Sequence, residues 1–156
     1  MARAGKLPLE LVDVVATNQF PEFQQRALEL SKTVDAFFIL NHDTMRDANG
    51  EYVDMLTVGR WYLENINKPE VSHEDQFVQE GMLAAASDSG FNQSFKAFEM
   101  AYEVLEKGQS PGLMSTAVPP AGPLMVNRVR AEMLGISLDD KMKFIDEVVE
   151  DAIALN

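Results

Sequence analysis

The chain has 156 residues, of which 46% are apolar and 24% charged, and this composition is typical of a single globular domain. Its net charge of -12 disfavours nucleic acids and anionic membranes as partners, because an acidic surface repels phosphates. The chain contains no cysteine, which excludes disulfides, thiol catalysis and thiolate metal sites.

The sequence contains neither a membrane span nor a secretion signal. No apolar run approaches the roughly 18 residues that a transmembrane helix needs. The first residues, Met1 to Lys6, include two basic side chains but no apolar segment behind them. We therefore expect a cytoplasmic protein if this start is genuine, and otherwise a piece of a longer polypeptide.

The first part of the chain predicts a strand, a helix and a second strand. Leu9 to Val15 is rich in branched apolar residues, and Pro21 is suited to the first turn of a helix. Val34 to Leu40 is apolar almost throughout, without the alternation of a half-exposed strand. We interpret it as a strand buried on both faces in the middle of a parallel sheet.

The next part continues this alternation of strands and helices. Glu51 to Asn65 predicts a helix, which Pro69 follows. Glu70-Val71 fits either a short strand or a loop that becomes helical at Glu74 to Gln79. Met82 to Ala86 is a short apolar run and a further candidate strand.

The strongest helical signal comes from large apolar residues in steps of four and three, namely Phe91, Phe95, Phe98, Tyr102 and Leu105. Ser110 to Pro123 is a loop rich in proline and glycine, and Leu124 to Val126 predicts a strand. We expect a short helix over Asn127 to Leu134. A final helix is predicted to be capped by Ser137, with an inner face of Leu138, Met142, Ile145, Val149 and Ala152.

The alternation as a whole predicts a single three-layer α/β domain over residues 1–156, with a mostly parallel sheet and helices on both faces. Ligands of such sheets bind outside the carboxyl ends of the strands. The polar residues that follow Leu40 are therefore the first candidates for a site.

Three polar clusters deserve weighing as functional residues. His42, Asp43 and Thr44 fit a ligand-binding rim and a helix cap about equally well. His73-Glu74-Asp75 fits a structural loop better than a metal site, because no second histidine has suitable spacing. Asp88 fits a ligand contact or a helix cap. No nucleophile is paired with a base, so we expect no catalysis, no metal and no cofactor.

Several stretches together resemble one family. They are Val34-Asp35-Ala36 with His42-Asp43-Thr44, Pro69 with Glu74-Asp75, Glu80-Gly81-Met82-Leu83-Ala84 leading to Asp88, Phe98 to Pro111, and Met125 to Ile136. The family is the substrate-binding component of ABC transporters with the type I periplasmic binding protein fold. The resemblance covers the second lobe and the C-terminal segment that returns toward the first lobe. His42-Asp43 stands where the family usually has Asp-Asn.

The resemblance implies a non-enzymatic, extracytoplasmic protein that binds a small organic solute, such as an amino acid, and presents it to an ABC permease. Carried onto this sequence, the ligand-binding residues are His42, Asp43, Thr44, Glu74 and Asp88. The resemblance also places the helix with Phe91, Phe95, Phe98 and Tyr102 near a lobe that this chain lacks. We therefore expect that face to be buried in a homodimer.

Two other functions stay open at this point. A cytoplasmic small-molecule sensor or dimeric interaction domain with the same fold would need no export signal. An enzyme of the doubly wound class is the least favoured, since no catalytic set can be assembled from the residues.

Overall fold

The computed structural model describes residues 9–87 and 89–156. In this part of the chain, five helices and five strands follow one another, with short 3₁₀ turns between some of them. They are α1 (Phe20–Leu30), β1 (Phe37–Ile39), α2 (Met55–Asn65), β2 (Glu70–Ser72), α3 (Asp75–Glu80), β3 (Ala84–Ala86), α4 (Gly90–Leu105), β4 (Leu124–Asn127), α5 (Arg128–Met133) and β5 (Glu147–Val149). None of the described helices is both long and apolar enough to span a lipid bilayer.

The strands form one mixed sheet in the order β1-β2-β3-β4-β5. The first three are parallel, β4 is antiparallel to β3, and β5 is parallel to β4. The predicted fold class, an α/β domain with a mostly parallel sheet, is therefore confirmed.

The core lies on both faces of this sheet. On the first face, α1, α2 and α3 pack over β1 to β3, and the centre of the cluster is Ala27, Ile39, Tyr62, Ile66, Phe77 and Met82. On the second face, α5 and the segment after it cover β4, with Leu83, Val126, Ala131 and Leu138 at the centre. The second face is less completely covered, because Phe38 and Val71 of β1 and β2 remain largely exposed there.

A buried ion pair links α5 to β2 within this core. The Arg130 guanidinium donates to both Glu70 carboxylate oxygens, at 2.9 and 3.0 Å, and also to the backbone carbonyls of Leu63 and Ile66. Burial raises the pKa of Glu70, and Arg130 offsets only part of that rise. The pair therefore fixes α5 against the end of α2, at a position where breaking it leaves a charge without a partner.

Local sequence signals explain where several helices begin. Pro21 lies in the first turn of α1, where its missing N–H costs no helical hydrogen bond. Asp54 caps α2 by accepting from the Thr57 backbone N–H, so this helix starts at Met55 rather than at Glu51 as the sequence predicted. Asn127 caps α5 in the same way through the Arg130 N–H.

The predicted strand at Leu9 to Val15 is wrong. The stretch is not in a strand, and Leu9, Leu11 and Val14 are mostly exposed. Asp13 pairs with Arg26 of α1, and an isolated bridge between Gln19 and Arg46 follows the stretch, but neither contact belongs to the sheet. A stretch with high strand propensity does not form a strand unless a neighbouring strand supplies hydrogen-bond partners for its backbone.

The position predicted for Val34 to Leu40 is also wrong. Its strand, β1, forms one edge of the sheet and pairs only with β2 in the described part of the chain. Phe38 is 58% exposed and Leu40 is 60% exposed, although Ile39 is buried. Their apolar character therefore does not reflect burial on both faces.

The predicted final helix does not form. Asp139–Phe144 is a 3₁₀ segment and Glu147–Val149 is strand β5, which pairs with β4. The spacing of Leu138, Met142 and Ile145 imitates a helix. Val148 and Val149 favour a strand, and the free edge of β4 supplies its partner.

α4 lies outside the packed body. It forms as predicted, but none of its side chains is buried. We call residues 89–122 the arm and the rest of the described chain the body. The arm leaves and returns at one point, where the Ser87 carbonyl accepts from the Gly122 N–H and the Pro123 carbonyl accepts from the Ser87 N–H.

Candidate functional site

The predicted site residues follow the carboxyl ends of β1, β2 and β3, which lie at the same end of the sheet. We call this end of the strands the polar edge, and it is distinct from the side of the sheet formed by β1. β1, β2 and β3 are parallel, so the chain leaves all three at the same edge. His42 to Thr44 follow β1, Glu74 follows β2, and Ser87 follows β3. Because β4 is antiparallel to β3, it begins at this edge, and the arm is therefore connected there too.

His42 is placed in the interior rather than on the surface of this edge. Its side chain is almost fully buried, its Nε2 lies 2.7 Å from Oε2 of Glu80, and its ring packs on Phe77 at 4.6 Å. Its Nδ1 has no hydrogen-bond partner among residues 9–87 and 89–156. His42 can therefore hold the chain after β1 against α3, while its neighbours face outward.

Asp43 and Thr44 are exposed at the same edge. The Asn41 side chain accepts a hydrogen bond from the Asp43 backbone N–H, which closes a tight local turn. The helix-capping alternative for these residues is wrong, because α2 begins later and is capped by Asp54. Both side chains are therefore available to a molecule at the edge.

Glu74 stands at the end of β2 beside two aromatic rings. Its Oε1 lies 3.4 Å from His73 Nε2, and the His73 ring stacks on Phe38 with 6.4 Å between centroids and 11° between planes. Glu74 is partly exposed and Phe38 largely so. This corner thus combines a carboxylate with an exposed aromatic surface.

Asp88, the remaining predicted ligand-binding residue, lies outside the described residues. Its neighbour Ser89 caps α4 by accepting from the Asn92 N–H. Ser87, on the other side, is buried at the crossing with Gly122. The chain around Asp88 is therefore where the arm joins the polar edge.

Two open grooves lie on the arm. One groove of about 450 Å³ lies between α4 and the segment after it, and includes Met100, Val104 and Met114. A second of about 700 Å³ adjoins it and includes Phe95, Phe98 and Tyr102. None of the predicted site residues that the structure describes lines either groove, so these grooves are separate from the polar edge, which we call the rim.

The residues described form no candidate metal site. No group of three or more histidine, cysteine, aspartate or glutamate side chains is gathered closely enough to hold a metal ion in that part of the chain. The expectation of a site without metal or cofactor stays a prediction.

Sequence reasoning missed the buried partner that organises the polar edge. Glu80 is 38 positions from His42. Nothing in the local pattern around Glu80 distinguishes it from an exposed helix residue. Only the contact between β1 and α3, which depends on the tertiary fold, makes its role visible.

Comparisons with known proteins support the fold. No family model and no curated protein sequence matches the chain. Among solved structures, a conserved domain protein from Vibrio cholerae matches with a TM-score of 0.67 and 17% identity over 95% of this chain and 47% of that one. An ABC domain from Streptococcus pneumoniae in complex with L-Trp matches with a TM-score of 0.65 and 22% identity, over 88% of this chain and 44% of its own.

A third structure is CD0873 from Clostridium difficile, a substrate-binding protein with adhesive properties, in a ligand-free, open form. Its TM-score is 0.63 and its identity 21%, over 96% of this chain and 48% of that chain. This chain therefore spans about half the length of each of the three structures. The TM-scores show that the chain shares the fold of one half of periplasmic binding protein-like structures, and identities this low show nothing beyond the fold.

Proposed function

We propose that the chain is a solute-binding unit of an ABC-type uptake transporter and takes a small organic solute, such as an amino acid, at the polar edge. In this proposal Asp43, Thr44, Glu74 and Asp88 contact the solute, and His42 positions the first two. Binding is non-catalytic and extracytoplasmic, and the liganded protein is presented to a membrane permease.

The observation that carries this proposal is the gathering of polar residues at the carboxyl edge of β1 to β3, where the arm also joins the body. The likeness in fold to a protein solved with L-Trp and to a substrate-binding protein supports it. The chain spans about half of each similar structure, which supports a single wall of a two-walled site, because enclosed pockets normally bury most of a small ligand.

The carboxylates at the rim favour a solute with an ammonium group. Asp43 is exposed and Glu74 partly so, and among the described residues the only basic side chain within 4 Å of the Glu74 carboxylate is the His73 imidazole. An anionic group would meet the repulsion of these carboxylates. The exposed Phe38 ring beside Glu74 adds an apolar surface for the rest of such a molecule.

The test is a nuclear magnetic resonance titration with L-tryptophan and a panel of other amino acids. We expect weak binding, with a Kd of about 1 mM, because one wall supplies only part of the usual contacts. Shifts should be largest at Asp43, Thr44 and Glu74. A flat response to every member of the panel would contradict the proposal.

Two variants and one control locate the binding. Asp43→Asn and Glu74→Gln should each raise the Kd about tenfold, since a charge-assisted hydrogen bond contributes roughly 1.5–3 kcal/mol. Glu64→Gln is the matched control, because Glu64 is exposed near the end of α2, which leads to the opposite edge of the sheet. Equal weakening by all three would show that the rim is not the site.

The α4 face favours a second function, a dimeric sensor or interaction domain with the same fold. Its exposed side chains are Phe91, Phe95, Phe98, Tyr102 and Leu105. At 150–250 Å² for a fully buried aromatic, they offer roughly 500–700 Å², close to the ~800 Å² that each partner contributes to a standard interface. We propose that two copies bury this face against each other.

Light scattering tests the homodimer. The unaltered chain should elute as a dimer, and Phe98→Asp should convert it to a monomer in which the body stays folded. Gln93→Glu is the control, since Gln93 is exposed and its position in the helical period places it on the opposite side of α4 from Phe98. A monodisperse monomer of the unaltered chain at micromolar concentration would contradict the homodimer but leave the solute proposal standing.

A further inference from the structure

The helix α3 connects the two halves of the rim. Glu74 is the residue immediately before this helix, and Glu80 is its last residue, so their backbones are roughly 9 Å apart along the helix axis. Glu74 is itself part of the rim. Glu80 is buried, and it reaches the other half of the rim through His42, which directly precedes Asp43.

The position of α3 in the body is well defined. Phe77 and Val78, in the middle of the helix, are both fully buried. The Asn127 side chain, which caps α5, donates a hydrogen bond of 2.8 Å to the Val78 carbonyl. Close packing and a buried hydrogen bond together restrict the helix, so its last residue is a fixed point to which another segment can be attached.

The turn after β1 is attached to that fixed point. The His42 imidazole and the Glu80 carboxylate are almost fully buried, and Nε2 and Oε2 lie 2.7 Å apart. Within residues 9–87 and 89–156, this is the only hydrogen bond that joins residues 42–44 to another part of the chain. The Asp43 N–H bonds inside the turn itself, to Asn41. Glu80 is therefore the described residue best placed to hold this turn.

The carboxylate of Glu80 is enclosed on the side of α2 as well. Gly59 has no side chain, and a Cβ there would lie 3.4 Å from Oε2 and 3.5 Å from the Ala154 Cβ. Burying a carboxylate costs free energy, and well-packed apolar residues often fill such a position at less cost than a polar pair. Stability alone therefore explains the buried histidine–glutamate pair poorly, whereas a need for one defined position of the turn explains it well.

We propose that Glu80 is a positioning residue of the solute site, which acts through His42 to set the place of Asp43 and Thr44 relative to Glu74. The inference rests on the proposed function, in which both halves of the rim contact one solute. A shift of about 1 Å in one half would carry a hydrogen bond of about 2.8 Å out of its favourable range. Binding would then weaken although every contacting residue is still present.

Backbone ¹⁵N relaxation tests the positioning without any solute. In the unaltered chain, the amides of Asp43 and Thr44 should have order parameters of about 0.85, and Glu80→Ala should lower them below about 0.6. Val78→Ala is the matched control, because Val78 is equally buried in α3 but packs against Ala85 of β3. Unchanged order parameters in Glu80→Ala, or an equal fall in Val78→Ala, would overturn the proposal.

Glu80→Gln separates the hydrogen bond from the loss of buried volume. Opposite an ionised Glu80, which can only accept, His42 carries a proton on Nε2, and the carbonyl oxygen of a glutamine side chain can accept from the same N–H. Glu80→Gln should therefore leave Asp43 and Thr44 nearly as rigid as in the unaltered chain. A loss of order as large as that in Glu80→Ala would exclude this hydrogen bond as the positioning contact.

The amino-acid titration tests the consequence for binding. Glu80→Ala should raise the Kd about tenfold, as Asp43→Asn does, and the double variant should also show about a tenfold rise, because both changes remove the same contact. A hundredfold rise in the double variant, or no effect of Glu80→Ala, would overturn the positioning role and leave the solute site standing. A flat titration of the unaltered chain would instead overturn the solute site, and with it the role of Glu80 in binding.

Discussion

The body and the arm of this chain contain similar apolar residues but bury them to very different extents. In the body, Phe77 of α3 is 1% exposed at the centre of a core that α1, α2 and β1 complete. In the arm, Phe98 of α4 is 66% exposed, and no side chain of that helix is buried. The same residue type at helical spacing therefore indicates a core in one region and an unpartnered surface in the other.

This difference shows what each region needs in order to be stable. The body pairs the buried charge of Arg130 internally, through the Glu70 carboxylate and a backbone carbonyl of α2. The arm is joined to it through the short crossing at Ser87 and Gly122. We expect the body to fold independently and the arm to gain its stability from a second surface.

The largest effect is expected from breaking the buried ion pair of the body. Arg130→Ala leaves the Glu70 carboxylate buried without its partner and should lower the free energy of unfolding by about 3–5 kcal/mol. Urea denaturation measures this change. The control is Arg128→Ala, because Arg128 pairs with exposed Glu150 and its loss should cost less than about 1 kcal/mol. Similar losses for both variants would contradict the assignment of the body's stability to the buried pair.

The second prediction compares two phenylalanines directly. Phe77→Ala should destabilise the body by about 3–5 kcal/mol, because it removes a fully buried ring and leaves a cavity. Phe98→Ala should change monomer stability by less than about 0.5 kcal/mol, as an exposed substitution does. Both are measured by urea denaturation at low protein concentration. A large loss for Phe98→Ala in monomers would show that the arm packs on the body.

The third prediction concerns the crossing between body and arm. A Cβ at Gly122 would lie 2.7 Å from the Ser87 carbonyl oxygen and 3.0 Å from the Ser89 Cβ. Gly122→Val should therefore separate the two crossing segments, cost about 1–3 kcal/mol, and speed proteolysis within the arm. Gly112→Val is the control, since a Cβ there meets only the Ser110 hydroxyl at 4.0 Å. Equal proteolysis of the two variants would contradict a specific crossing.

The smallest expected effect is at the cap of α2. Hydrogen bonds from the Thr57 hydroxyl and backbone N–H lower the pKa of Asp54. This contribution is fully present above the ordinary aspartate pKa of about 4 and is lost as pH falls through the lowered pKa of the folded state. Asp54→Ala should cost about 1 kcal/mol near pH 7, and the difference should shrink below about pH 4. A difference independent of pH would exclude the charged cap as its cause.

Sequence patterns predicted where the helices form better than they predicted which strands pair with each other. Pro21 and the spacing from Phe91 to Leu105 located α1 and α4, because helix signals are local. The short strands depend on a neighbour. Val34 to Leu40 was therefore assigned to the centre of the sheet when it lies at an edge, and β5 was predicted as helix although it pairs with β4.

The candidate site, too, could be predicted only in part from the sequence. The order of strands placed Asp43, Thr44 and Glu74 at one edge, as the rule for parallel sheets predicts. The burial of His42 against Glu80 could not be predicted, since that contact joins residues 38 positions apart. Exposure of the α4 face was foreseen only through the family resemblance, because periodicity alone favours a core.

Hydrogen exchange at two protein concentrations, about a hundredfold apart, tests the difference between body and arm most directly. Backbone amides of α2, α3 and the sheet should be equally protected at both concentrations. Amides of α4 should exchange rapidly in the dilute sample and become protected in the concentrated one. Protection of α4 equal to that of α2 in the dilute, monomeric sample would contradict the account, because the arm would then be stable without a second surface.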